Sequence, residues 1–105
     1  MEPKVIRFRA PKPAGAPALL KEELYRSEAH DFNWVRLDPG FVKEPAVYPA
    51  GDAFMFVVEG HLRVTVDGQV HNLERGDLVI VPKGATRGFS AGPEGAVFMA
   101  AHLRG

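Results

Sequence analysis

The sequence predicts an all-β domain arranged as an antiparallel sandwich or barrel. Three observations carry this expectation: short runs rich in aromatic and β-branched residues recur from Phe32 onward, turn residues separate them at close intervals, and none shows convincing helical periodicity. The strongest local signal is Asp67-Gly68 between two alternating runs, because a two-residue hairpin turn of this kind requires positive φ, which glycine tolerates.

At 105 residues and 46% hydrophobic composition, the chain suffices for one domain with its own core. Residues 4–9 (KVIRFR) read as an extended arm, and three prolines and a glycine between Pro11 and Pro17 read as a linker. Residues 18–28 are ambiguous: Leu20 and Leu24 stand at helical spacing, yet KEELYR alternates like an edge strand. The expected organisation is an arm and linker over residues 1–30 and a barrel over 31–105.

FNWVRL, beginning at Phe32, reads as a strand closed by a turn at Asp38-Pro39-Gly40. The runs AFMFVVEG, HLRVTVDG, QVHNLERGD, LVIVPKG and AVFMAAHL follow, with turns expected at Glu59-Gly60, Asp67-Gly68, Gly76-Asp77, Lys83-Gly84 and Pro93 to Gly95.

Thirteen Lys plus Arg balance thirteen Asp plus Glu, so net charge favours neither nucleic acid nor an anionic membrane surface. With no cysteine, thiolate metal sites and a cysteine nucleophile are excluded. No run approaches the roughly 20 apolar residues that span a bilayer, and no signal-peptide pattern opens the chain, so a cytoplasmic location is the default expectation.

Two stretches, PGFVKEPAVYPAGDAFMFVVEG at 39–60 and GDLVIVPKGATRGFSA at 76–91, resemble the two motifs of the cupin superfamily. Gly40 and Gly60 bracket the first motif; Gly76, Pro82 and Gly84 fall at the spacing of the second. The resemblance covers about residues 35–103 and implies a double-stranded β-helix, an RmlC-like jelly roll with a site inside its open mouth.

The same alignment implies that the usual metal ligands are missing. The family's glutamate falls on Ala53, its two histidines on Ala46 and Tyr48 (or on Val47 and Pro49 with a spacing one shorter), its third histidine on Arg87 and its asparagine on Ala91. None of the four metal-ligand positions keeps an imidazole or carboxylate, the groups that bind divalent zinc, iron or manganese, so no metal and no other cofactor is expected.

If Ala53 points inward, alternation turns Met55 and Val57 inward too and leaves Phe54, Phe56 and Val58 on the opposite, equally apolar face. That second face suggests homodimerisation through this sheet, or else packing under residues 1–30. Tyr48 and Arg87 would place a phenol and a guanidinium among apolar side chains, an arrangement suited to an anion; alternatively Arg87 pairs with Glu44 or Asp52 or lies in water at the rim.

The four histidines are scattered, with no His-x-His pair. His61 follows a glycine and is expected at the surface; His71 shares a strand face with Leu73; His102 lies near the end of the last strand. The expected ligand-binding set is Tyr48, Arg87, Met55, Ala53, His71 and His102. The first functional reading is a metal-free binding module for a small anionic or partly apolar molecule. Alternatives are a metal-independent isomerase or epimerase acting on a sugar or keto acid, a metal-dependent enzyme using His71 or His102 with Tyr48, and a packed barrel with an assembly role; whether the protein is catalytic stays open.

Overall fold

The computed structural model describes residues 3–9 and 18–105. Among these, regular structure is strand only: β1 (Leu19–Arg26), β2 (His30–Leu37), β3 (Val42–Val47), β4 (Gly51–Val66), β5 (Gln69–Glu74), β6 (Leu78–Val81) and β7 (Thr86–Arg104). Every pairing is antiparallel. Of the ambiguous segment 18–28, Leu19–Arg26 forms strand β1, whose backbone groups pair with β2. The arm residues 3–9 form no regular element, and the Pro11 to Pro17 linker lies outside the described residues.

β4 and β7 are long enough to belong to two layers. The first half of β4 and the second half of β7 pair with each other beside β2, β1 and β6; their other halves pair beside β5 and β3. This produces the jelly-roll barrel expected from the sequence. The core fills the space between the layers, with Val35 and Leu37 from β2, Ala53, Met55, Val57, Leu62 and Val64 from β4, and Ala96 and Phe98 from β7 all buried. Phe89 meets Phe98 edge to face, 5.7 Å between ring centroids, joining the two halves of β7 across the interior.

Two expected turns are corrected. Glu59-Gly60 and Pro93 to Gly95 lie inside continuous strands, at the place where β4 and β7 cross from one layer to the other. The ladder register shifts there twice, and His61 stands against four residues of β7, Gly92 to Gly95. A glycine signals positive φ, and both a hairpin turn and a bulged corner demand it, so sequence alone does not separate the two. Gly60 has φ +74°, and a Cβ there would lie 2.2 Å from the Gly95 carbonyl oxygen. The Asp67-Gly68 hairpin forms as read, with φ 48° and 84°, and the Asp67 carboxylate accepts a hydrogen bond from the Thr86 amide at 2.9 Å.

The outer face of the β2–β7–β4–β6 layer is apolar. Phe54 and Phe56 of β4 stand opposite Ile80 and Leu78 of β6. Phe8 of the arm packs edge to face on Trp34 at 4.9 Å, yet Phe56, Leu78 and Ile80 remain 36%, 51% and 53% exposed.

A buried ionic knot ties the chain's last strand to the β1–β2 turn. Asp31, 2% exposed, accepts from His102 Nδ1 at 2.9 Å and Asn33 Nδ2 at 2.7 Å, and is paired with Arg104. Arg104 also donates to the carbonyls of Ser27 (2.6 Å) and Glu28 (2.9 Å). Burial alone would raise the Asp31 pKa, but the bonds from His102, Arg104 and Asn33 outweigh it and hold the carboxyl well below the usual carboxylate range.

Two outcomes follow for stability. Gly60→Ala should cost about 3 kcal/mol, combining left-handed strain with a forced shift of backbone, whereas Gly68→Ala, with open space around its Cβ, should cost about 1 kcal/mol; denaturant melts of the two variants check the difference. Because the folded-state pKa of Asp31 is depressed, its contribution is present above the ordinary carboxylate range and is lost as pH falls below about 4. Asp31→Asn should therefore lose about 3 kcal/mol at neutral pH and converge on the wild-type stability in acid; parallel curves at every pH would contradict this role.

Candidate functional site

Alternation along four strands aims side chains into the end of the barrel that holds the ionic knot. On β4, Ala53 and Met55 face inward and Phe54 faces the other way. On β7, Arg87 and Phe89 share the inner face with Phe98, Ala100 and His102, since Phe98 pairs with Val57, Ala100 with Met55 and His102 with Ala53. On β1 and β3, Lys21 stands opposite Val35 and Lys43 opposite Phe89.

Together these line a half-open cavity of about 190 Å³, with Lys21 and Lys43 at its exposed side. Its walls are mostly carbon, from Val35, Met55, Phe89 and Phe98, and its ionisable lining groups are Lys21, Lys43, Arg87 and His102. Among the described residues, no carboxylate lines it. The Arg87 Nε is sealed from water and has no hydrogen-bond partner, and Arg87 makes no ion pair among the described residues. The pairing with Glu44 or Asp52 is thus not formed; Asp52 instead accepts from the Lys83 amide at 2.8 Å. Burial lowers the Arg87 pKa, and nearby Tyr48 acts in the opposite sense.

Of the residues expected to form the site, Ala53, Met55, Arg87 and His102 line this one cavity. Tyr48, half-buried beyond the end of β3, lies behind His102 with ring centroids 4.6 Å apart, and its hydroxyl accepts from Arg104 at 3.5 Å. His71 is exposed on β5 opposite Val64 and does not line the cavity, although it shares a strand face with Leu73. His61 is exposed. Sequence reasoning missed Lys21, Lys43, Asn33 and above all Asp31. A signal for Asp31 existed, because it shares its strand face with Asn33, Val35 and Leu37, which places a carboxylate on a core-facing stripe.

Asp31 sets the chemistry of His102. An ionised carboxylate only accepts hydrogen bonds, so His102 Nδ1 carries the proton in their 2.9 Å contact and Nε2 is the ring's remaining free nitrogen. A second depression beside the β4–β5 ribbon, about 490 Å³, is lined by groups of both signs, two of which are engaged locally: Arg63 Nε donates to Asn72 at 3.3 Å, and Asp77 accepts from the Glu74 amide at 2.9 Å.

A divalent metal does not fit these residues. Ala53 has no donor atom, Ala46 is exposed on β3, and Arg87 puts a permanent cation where a ligand would stand. Among the described residues, no three His, Cys, Asp or Glu side chains converge as a metal site would need. Likewise, no helix among them is long and apolar enough to cross a membrane.

Known proteins place this geometry in context. No curated sequence matches the chain. Among solved structures, it is similar to the cupin domain of Cnp3 from Schizosaccharomyces pombe, with TM-score 0.79 and 19% identity over 83% of this chain and 65% of that one. It is also similar to a cupin superfamily protein from Desulfitobacterium hafniense, TM-score 0.80 and 20% identity over 90% of this chain and 84% of that one. An RmlC-like cupin from Shewanella frigidimarina gives TM-score 0.78 and 22% identity over 90% and 82%. At such identities the likeness speaks for the fold. The Cupin domain family profile matches residues 33–102, two-thirds of the sequence, and the chain belongs to the cupin family.

Proposed function

We propose that this protein is a metal-free binding module for a small anionic, partly apolar molecule held inside the barrel. The observation that carries this reading is the Arg87 guanidinium, whose Nε is buried and, among the described residues, unpartnered, in a cavity that Lys21, Lys43 and carbon line and to which none of those residues brings a carboxylate. A buried cation without a counter-charge costs stability, and an entering carboxylate supplies both the charge and a bidentate acceptor. Apolar walls take the rest of the ligand.

The cavity size favours a short carboxylate over a phosphorylated sugar. A dry cavity of about 150 Å³ takes benzene, so about 190 Å³ suits six to eight non-hydrogen atoms. A second reading, a metal-independent isomerase or epimerase acting on a sugar or keto acid, is favoured by His102, whose proton position is fixed by Asp31 and whose ring packs on Tyr48. It requires exchange of a substrate carbon-bound proton with solvent deuterium, and no exchange at saturating ligand would sink it.

The apolar outer face carrying Phe54, Phe56, Leu78 and Ile80 supports a homodimer as the working assembly. Ile80→Lys should then yield monomers in sedimentation equilibrium while keeping the fold; a wild-type chain that is already monomeric at high concentration would contradict the dimer. For the cavity, Arg87→Met should raise the melting temperature of the ligand-free protein by several degrees, a gain of about 1 kcal/mol, and abolish stabilisation by short carboxylates. An Arg87→Met protein that still gains stability from butyrate as the wild type does would overturn the binding reading.

A further inference from the structure

Resting on that binding reading, we infer that the cavity selects a short 2-hydroxycarboxylate, with the carboxylate on Arg87 and the hydroxyl donating to His102 Nε2. The inference comes from the unequal treatment of the cavity's two polar poles. Arg87 brings only donors, and its buried Nε has nothing to donate to. His102 brings the opposite. Its Nδ1 is committed to Asp31 at 2.9 Å, and that carboxylate is itself fixed by Asn33 and Arg104, so the ring cannot exchange its roles without leaving a buried anion short of a donor. The remaining Nε2 belongs to a side chain that lines the cavity and is only 15% exposed.

Neutral imidazole in this tautomer presents a lone pair there. A ligand that satisfies both poles must carry an anionic acceptor and, separately, a hydrogen-bond donor. A simple fatty acid supplies the first only. A diol supplies the second only. A keto acid offers an acceptor to an acceptor. A 2-hydroxycarboxylate supplies both on adjacent carbons, and a four-carbon example has seven non-hydrogen atoms, within the range set by the cavity of about 190 Å³. Its hydrocarbon end would lie against Met55, Val35 and Phe98, which offer no polar atom. Tyr48, packed on the imidazole at 4.6 Å and bonded to Arg104, holds the ring in place from behind and is a positioning residue.

The test is titration calorimetry of the full chain with 2-hydroxybutyrate, butyrate, 2-oxobutyrate and 1,2-butanediol. Expected is binding of 2-hydroxybutyrate about tenfold tighter than butyrate, the worth of one good hydrogen bond, with 2-oxobutyrate no better than butyrate and the diol weakest. His102→Asn keeps an amide donor where Nδ1 stood, and so keeps the bond to Asp31, but removes Nε2; it should erase the tenfold preference, read as the ratio of the two affinities in the same variant. Equal affinity for butyrate and 2-hydroxybutyrate in the wild type, which needs no variant to read, overturns the hydroxyl assignment and leaves the carboxylate reading intact. Tightest binding by 2-oxobutyrate overturns the acceptor role of His102. If none of the three acids binds, the carboxylate reading itself fails, and this inference with it.

Discussion

The pairing of β4 with β7 is the constraint on which the rest of the molecule depends. Both strands run through both layers, so a single ladder sets the register of each half of the barrel relative to the other. The corner is possible because Gly60 and Gly95 bring two backbones closer than any side chain would allow. From this one ladder follow the inward aim of Ala53 and Met55 on β4 and of Arg87, Phe89 and His102 on β7, which is to say most of the cavity. The site is built on strands and not on loops, so its groups are held by the same hydrogen bonds that hold the fold.

A buried carboxylate and a half-buried guanidinium are treated in opposite ways. Asp31 receives bonds from His102, Asn33 and Arg104, and the outcome is a knot that fastens β7 to the β1–β2 turn and fixes the tautomer of a cavity imidazole. The Arg87 Nε has no partner among the described residues. A fold that satisfies one ion so fully and leaves a buried atom of another without such a partner concentrates its electrostatic cost at one place, where a ligand can relieve it. On the proposed reading, the arginine that stands at a family ligand position puts a cation where an anionic ligand would enter.

Much of the architecture was legible in the sequence because it rests on period-two alternation and turn residues, which are local. Most of the strands from Phe32 onward, the Asp67-Gly68 hairpin and the two faces of AFMFVV were readable in this way, whereas β3 and the start of β7 at Thr86, which carry no such alternation of apolar residues, were not expected. The continuity of β4 and β7 was not, since Gly60 and Gly95 carry the same positive φ in a bulged corner as in a turn, and only the partner strand tells them apart. The cavity was legible in part: Ala53 and Arg87 came from the motif spacing and His102 from its place near the last strand's end. Lys21, Lys43 and Asp31 lie outside the spacing and reach the site only through the pairing of β1 with β2, β3 with β7 and β2 with β7, contacts that no local pattern encodes. His71 shows the converse, since sharing a face with Leu73 does not bring an edge-strand residue into the interior.

The most direct measurement of the central claim is an isotope-filtered NMR experiment with carbon-13-labelled butyrate and the full chain, reading which protein protons lie near the ligand. The account predicts nuclear Overhauser contacts from the butyrate chain to the Met55 methyl and the Phe98 ring, side chains buried within the barrel wall. Contacts confined to exposed surface residues at saturating ligand, or none at all, would contradict it.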